Sequence, residues 1–184
     1  MRKLVFAINM TIDGCCDHTR LNGNDDVYEY YGNLLHDVDL LVYGRKTYQL
    51  MFPFWTDVAK NHSGQTKAMN EFARAFDSIN DIVVFSQSLE TAEGKKTRIV
   101  RTNLQEQILK LKQEPGKNML TGGVKIPSQL IGLGLVDEYH VVIQPMVVGE
   151  GTRLLAGVSL QEKLNLVDSQ IFHSGCVALH YVKS

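Results

Sequence analysis

Residues 118–151, NMLTGGVKIPSQLIGLGLVDEYHVVIQPMVVGEG, predict a strand at 119–121, a Gly-Gly turn, a short helix and a second strand at 138–144. At a strand-to-helix turn, unpaired backbone N–H groups and the positive end of the helix dipole point towards the same spot. Gly122 and Gly123 would let the backbone approach an anion without a Cβ between them. The stretch therefore predicts a phosphate site, and a tight turn without a ligand is the alternative. The pair does not form GxGxxG, so the ordinary dinucleotide fingerprint is absent.

Composition indicates a single domain spanning residues 1–184, with a formal charge of −1. Acidic and basic residues are mixed along the chain, which predicts no nucleic-acid surface, and no apolar run reaches the length of a membrane span. Three cysteines, two of them adjacent, form no disulfide framework and favour a reducing, cytoplasmic setting. No Cys/His spacing predicts a metal site, and the deaminase signature H-x-E with P-C-x-x-C is missing.

Predicted strands and helices alternate along most of the chain. Strands are expected at 3–10, 39–43, 81–85 and 97–100, helices at 24–36, 66–78 and 104–112, and a terminal pair of strands at 164–172 and 176–182. This order predicts an α/β fold: a mostly parallel mixed sheet with helices on both faces and an antiparallel strand near the C-terminus.

A long aromatic loop is expected at 52–65, FPFWTDVAKNHSGQ. Such loops often form parts of binding sites or lids. The alternative is that Phe52, Phe54 and Trp55 fill the core.

Ligands of open α/β sheets bind outside the carboxyl ends of the strands. The residues that directly follow the predicted strands are therefore the candidate site residues: Thr11 to Gly14, Gly44 to Tyr48, Ser86 to Ser88, Thr121 to Gly123, and Gln144 with Pro145.

Five motifs occur in a familiar order: TIDG at 11–14, YGRKTY at 43–48, FSQSL at 85–89, LKQEPGKNMLTGG at 111–123 and GLVDEYHVVIQPMVVGEG at 134–151. Together they resemble the reductase family typified by the C-terminal domain of the bifunctional riboflavin-biosynthesis protein. That family shares the dihydrofolate reductase fold, and the resemblance covers nearly the whole chain.

The resemblance implies that NADPH is the cofactor. It assigns the pyrophosphate to Gly122, Gly123 and Val124, the phosphates and the adenosine side to Gly44, Arg45, Lys46 and Thr47, the 2′-phosphate to Ser86, and the nicotinamide to Ala7, Thr11, Asp13 and Gly14. Thr121 and Gln87 are two further candidate cofactor-binding residues. Relatives often have a basic residue where Gln87 stands, so recognition of the 2′-phosphate would depend more on Arg45 and Lys46. The planar guanidinium of Arg45 can donate twice to a phosphate, whereas its alternative role is an ion pair with a carboxylate.

The expected function is an NADPH-dependent reductase that transfers hydride to a small heterocyclic or ribosylaminopyrimidine-type substrate. Asp13 is the candidate proton donor, followed by His18, and the alternative for Asp13 is a turn residue whose carboxylate binds backbone N–H groups.

Two other functions are open: an NADP(H)-binding protein without turnover, and a dihydrofolate reductase. The second lacks support because the first-helix region, DDVYEYYGNLL, has neither the tryptophan nor the proline of the W-x-x-P-x-[DE] pattern. Its candidate acids are Asp25, Asp26 and Glu29.

A homodimer is also expected. The late strands carry apolar residues on both faces, more than a small sheet edge should expose: Val141, Val142, Ile143, Met146, Val147 and Val148.

Overall fold

The computed structural model describes residues 1–21, 23–79, 81–94 and 96–184. Along this part of the chain the elements are β1 (Leu4–Thr11), α1 (Asp25–Leu35), β2 (Val38–Gly44), α2 (Arg45–Asn61), α3 (Lys67–Asp77), β3 (Asp81–Phe85), β4 (Thr97–Val100), α4 (Leu104–Gln113), β5 (Asn118–Gly122), α5 (Lys125–Gly132), β6 (Glu138–Gln144), β7 (Leu164–Ile171) and β8 (Val177–Lys183). None of the described helices is both long and apolar enough to cross a membrane.

The eight strands form one sheet in the order β4-β3-β2-β5-β1-β6-β8-β7. Every neighbouring pair from β4 to β6 is parallel, whereas β8 runs antiparallel to both β6 and β7. The sequence-based prediction of a mostly parallel sheet with antiparallel strands near the C-terminus is confirmed.

Each face of the sheet is covered by helices, because side chains along the buried strands alternate between two apolar layers. On one face, residues such as Phe6 and Met119 pack against α4 and α5. On the other face, Leu41 and Leu120 pack against α1, α2 and α3. This arrangement allows helices that begin at neighbouring strand ends to lie on opposite sides of the sheet.

Helix α2 replaces the loop that the sequence predicts at 52–65, so that prediction is wrong. Pro53 lies inside the helix, where it lacks the N–H that would bond to the carbonyl four residues earlier. The helix nevertheless continues to Asn61 because Trp55 and Val58 are buried against the α3 side of the core, at 8% and 4% exposure. Trp55 is thus a core residue, whereas Phe54 is 49% exposed.

Strand β6 lies inside the sheet between β1 and β8, so its apolar residues do not lie at a sheet edge as expected, whereas Val147, which follows the strand, is 69% exposed. Val142 is fully buried, and Val141 and Ile143 are half-buried. The outermost strand on this side is β7, which exposes Leu166, Val167 and Ile171.

Candidate cofactor-binding site

The predicted phosphate site lies where two helices begin at neighbouring strand ends. Strands β2 and β5 are paired in parallel, with Val42 opposite Thr121, so the starts of α2 and α5 lie side by side. The two helices then cover opposite faces of the sheet. Such a point of divergence is where open α/β sheets form ligand-binding crevices.

Direct packing joins the two strand-to-helix junctions. Gly123 has a φ of +82°, and a Cβ placed on it would come within 2.2 Å of Thr47 Oγ1. A Cβ on Gly44 would come within 2.9 Å of Ile126 Cγ1. The glycines therefore allow the two backbones to approach each other, as expected for a site in which both junctions contact one ligand.

The starts of α2 and α5 differ from those of the other helices in lacking a side-chain cap. Asn24, Thr66 and Asn103 accept hydrogen bonds from the first turns of α1, α3 and α4. Gly44 and Val124, the residues that precede α2 and α5, provide no such bond. The N–H groups and dipoles of these two first turns therefore suit an anionic ligand at the shared edge.

Arg45 is exposed at the first position of α2, next to the end of β3. Its Nη1 donates to Gln49 Oε1 over 3.2 Å, and among the described residues it forms no ion pair with a carboxylate. Because Gly44 is paired with Phe85, Arg45 and Ser86 both directly follow the same rung of the sheet. The structure thus brings these two predicted phosphate-binding residues to adjacent positions.

The β3 end holds its polar side chains through local bonds. Ser86 Oγ accepts from the backbone N–H groups of Ser88 and Leu89, at 3.2 and 3.0 Å, which leaves its hydroxyl proton able to donate. Gln87 is exposed, and its Nε2 donates to the carbonyl of Arg101 over 2.8 Å. These contacts keep Ser86 oriented while Gln87 contributes no positive charge.

At the end of β1, the Asp13 carboxylate anchors the loop after β6. It accepts from Thr11 Oγ1 at 2.6 Å, from the N–H of Gly149 at 2.8 Å and from that of Val148 at 3.3 Å. These bonds, led by the one from Thr11, lower the pKa of Asp13 to about 2 from the ordinary 3.8. Asp13 is thus ionised at neutral pH, which favours the anchoring role over proton donation.

Arg153 joins the same loop contact, and sequence reasoning missed it. Its Nη1 donates to the Asp13 carbonyl, its Nη2 donates to the Gly149 carbonyl at 3.1 Å, and its Nη2 lies 3.8 Å from Asp13 Oδ2. Nothing in the local sequence signals this pairing, because Arg153 and Asp13 are 140 residues apart.

The remaining predicted residues occupy varied positions. Ala7 is paired with Gly122 on β5, and a Cβ on Gly122 would contact its carbonyl at 3.4 Å. Gly14 has a φ of +80° in the turn after β1. Lys46 is exposed beside Arg45, and His18 is exposed in a short 3-10 turn. Ala7 and Gly122 thus continue the edge from the phosphate site towards the end of β1.

None of the acids in α1 has the environment of a buried proton donor. Asp25 accepts from Thr66 Oγ1 at 2.6 Å, and Glu29 is exposed. Asp26 accepts from the N–H of Ser174 at 3.0 Å, and this bond lowers its pKa. These contacts are those of capping and loop-anchoring carboxylates.

Two cavities flank α1, with volumes of about 330 and 540 Å³. The first lies between α1, β6 and β7, and the second lies between α1 and α3. Neither cavity is lined by a residue that the sequence predicts to bind the cofactor.

Comparison with protein families shows to which family the chain belongs. The family described as RibD C-terminal domain matches residues 2–178. The chain belongs to the RibD C-terminal domain family. One relative, the uncharacterized protein YyaP of Bacillus subtilis (strain 168), is 30% identical to this chain over 98% of this chain and 94% of its own length.

Solved structures show that this RibD C-terminal domain protein has a dihydrofolate reductase-like fold. It is similar to a diaminohydroxyphosphoribosylaminopyrimidine deaminase/5-amino-6-(5-phosphoribosylamino)uracil reductase from Thermotoga maritima, with a TM-score of 0.69, 18% identity, and coverage of 100% of this chain and 57% of that chain. It is also similar to dihydrofolate reductase from Enterococcus faecalis complexed with NADP(H), with a TM-score of 0.64, 12% identity, and coverage of 99% and 96%. The fold predicted from the motifs is confirmed.

Proposed function

We propose that this protein is an NADPH-dependent reductase acting on a small heterocyclic substrate of the ribosylaminopyrimidine type. The observation that carries the proposal is the junction where Gly123 packs against Thr47 between two uncapped helix starts. Family membership and the names of the similar structures support a reductase-like role. The similar dihydrofolate reductase was solved with NADP(H), which supports the choice of cofactor.

In this proposal the dinucleotide lies along the carboxyl edge of the sheet. Ser86 and Arg45 hold the 2′-phosphate, the first turns of α2 and α5 hold the pyrophosphate, and Ala7 and Gly14 flank the nicotinamide. Adjacent strands are about 4.8 Å apart, so the distance from β3 across β2 and β5 to β1 is about 14 Å. That span suits an extended dinucleotide.

When bound, NADPH supplies the hydride, and the protein contributes placement and electrostatics. The backbone N–H groups after Gly44 and Gly123 stabilise the phosphates. Asp13 has a positioning role: its ionised carboxylate fixes Val148 and Gly149 beside the end of β1. We assign proton transfer to no side chain of this edge.

The test is NADPH binding by calorimetry together with NADPH oxidation against a panel of aminopyrimidines, pterins and small carbonyl compounds. We expect binding, and turnover with the aminopyrimidine class. Binding without turnover by any member of the panel would contradict the reductase proposal and indicate a dinucleotide-binding protein. Absence of NADPH binding would contradict both the reductase proposal and the dinucleotide-binding alternative.

A pair of glycine variants tests the site itself. Gly123→Ala and Gly157→Ala both place a Cβ at a positive φ, +82° and +77°, so the backbone strain should cost each about 1–2 kcal/mol of folding stability, to which Gly123→Ala adds a steric cost. Gly157 has no atom within 4 Å of the added Cβ, whereas at Gly123 the Cβ would collide with Thr47. We expect only Gly123→Ala to lose NADPH affinity, and equal affinity in both variants would remove the junction from the site.

Gly122→Ala is the second probe should Gly123→Ala not fold. Its added Cβ would meet only the Ala7 carbonyl at 3.4 Å and the Tyr43 ring at 3.8 Å, so the protein should remain folded. We expect weakened NADPH binding because the methyl group occupies space where the pyrophosphate lies, and unchanged binding would contradict that placement.

A further inference from the structure

Three potential metal ligands meet where β6 is paired with β8. Glu138 and His140 are two residues apart on β6, so their side chains share one face of the sheet. His180 lies directly opposite His140 on β8. The sequence predicts no metal site because these residues follow no recognised spacing, and only the strand pairing brings them together.

The three ligand atoms are spaced almost as a metal ion requires. Glu138 Oε2 lies 3.5 Å from His180 Nε2 and 3.9 Å from His140 Nε2, and all three atoms are within 4.8 Å of one another. Ligands at 2.0–2.2 Å around a tetrahedral zinc ion are separated by about 3.4 Å. Small side-chain rotations would therefore complete the geometry, including rotation of the two imidazole rings, which now stack with centroids 4.1 Å apart.

Independent evidence comes from unsatisfied nitrogen atoms. The Nε2 atoms of His140 and His180 are buried, and neither has a hydrogen-bond partner in the described part of the protein. Buried polar atoms nearly always have a partner, so two unpartnered nitrogens facing one carboxylate require an explanation. A shared cation would satisfy both at once.

The surroundings prepare His140 for ligation through Nε2. Its Nδ1 lies 2.7 Å from the Tyr30 hydroxyl, which would accept the Nδ1 proton and so fix the tautomer. Lys3 Nζ donates to the other carboxylate oxygen, Glu138 Oε1, over 2.5 Å.

We propose that Glu138, His140 and His180 form a binding site for a divalent transition-metal ion of the zinc type. Two imidazoles and one carboxylate are a donor set that zinc accepts. The bound ion would tie β8, and with it the edge strand β7, to the parallel part of the sheet. Lys3 would weaken the site, because its ammonium group competes with the ion for Glu138.

The experiment is a titration of tag-free, EDTA-treated protein with Zn²⁺ by calorimetry, and with Co²⁺ by visible absorption, whose intensity reports tetrahedral coordination. We expect one equivalent to bind and to raise the melting temperature, since the ion binds the folded state. His180→Gln should weaken Zn²⁺ at least about tenfold, and Tyr30→Phe about tenfold, as losses around a metal usually do.

Two variants separate this site from adventitious imidazole binding. His36→Ala removes an exposed histidine at the end of α1 and should leave Zn²⁺ affinity unchanged. Lys3→Gln should strengthen binding, and its side chain is 58% exposed, so the fold should tolerate the change. No stoichiometric binding, or binding that His180→Gln leaves unchanged, would overturn the proposal.

Discussion

Arg45→Ala should reduce the preference for NADPH over NADH without changing stability. The two cofactors differ only in the 2′-phosphate, so the residues that contact it must produce the preference. Arg45 directly follows the Gly44–Phe85 pair, as Ser86 does on the neighbouring strand. Its exposed guanidinium has no carboxylate partner among the described residues that would compete with a phosphate.

The size of the effect follows from this environment. A hydrogen-bonded contact with a charged group contributes about 1.5–3 kcal/mol, and exposure to water places Arg45 in the lower half of that range. A loss of about 1.5–2 kcal/mol corresponds to about 10- to 30-fold weaker NADPH binding. The free energy of unfolding should change by less than about 0.5 kcal/mol, because the side chain loses only its bond to Gln49.

The assay is a pair of dissociation constants, for NADPH and NADH, measured by calorimetry at two salt concentrations. We expect Arg45→Ala to weaken NADPH alone, and we expect Arg45→Lys to give an intermediate value because it keeps the charge but loses the fork. Arg74→Ala, an exposed arginine of α3, is the matched control and should change neither constant. Equal weakening of both cofactors would show that Arg45 contacts the shared pyrophosphate, and no change would refute its place in the site.

Three further outcomes are expected. Gln87→Arg should strengthen NADPH binding and leave NADH binding unchanged, because it adds a cation beside Ser86. An NADPH dissociation constant equal to that of the wild type, measured by calorimetry, would contradict this. Asp13→Asn should lower the urea midpoint at pH 7, because a carboxyl group with a lowered pKa stabilises the fold while it is ionised. The difference in urea midpoint between wild type and variant should disappear as the pH falls from 4 towards 2, and a difference independent of pH would contradict this. The protein should be a homodimer in light scattering at micromolar concentration, and Ile171→Lys on the exposed edge strand β7 should shift it to monomer, whereas a monomeric wild type would refute the proposal.

The regular elements could be predicted from sequence because their signals are local. Strand β6 has the predicted bounds, Glu138–Gln144, and α1, with Asn24 as its cap, spans Asp25–Leu35 within the predicted range of 24–36. Helix α2 could not be predicted past Pro53, because the burial of Trp55 that sustains it depends on α3, which follows later in the chain.

The candidate site was predictable only in part, for a related reason. The strand-to-helix glycines are local features, so Gly44 and Gly123 could be identified from the sequence. Their packing through Thr47 depends on the pairing of β2 with β5, and the Arg153 contact to Asp13 depends on two distant loops. The order of the strands depends on the packing of the whole core, so it cannot be predicted from the hydrophobic periodicity of a single sequence.

The most direct test of the central claim is the difference electron density of crystals soaked with NADPH. The account predicts a dinucleotide extended along the carboxyl edge of the sheet. Its pyrophosphate should lie at Gly122 and Gly123, its 2′-phosphate at Arg45 and Ser86, and its nicotinamide beside Ala7. A dinucleotide found in either cavity beside α1 would contradict it. So would the absence of a dinucleotide in crystals in which the carboxyl edge of the sheet is open to solvent.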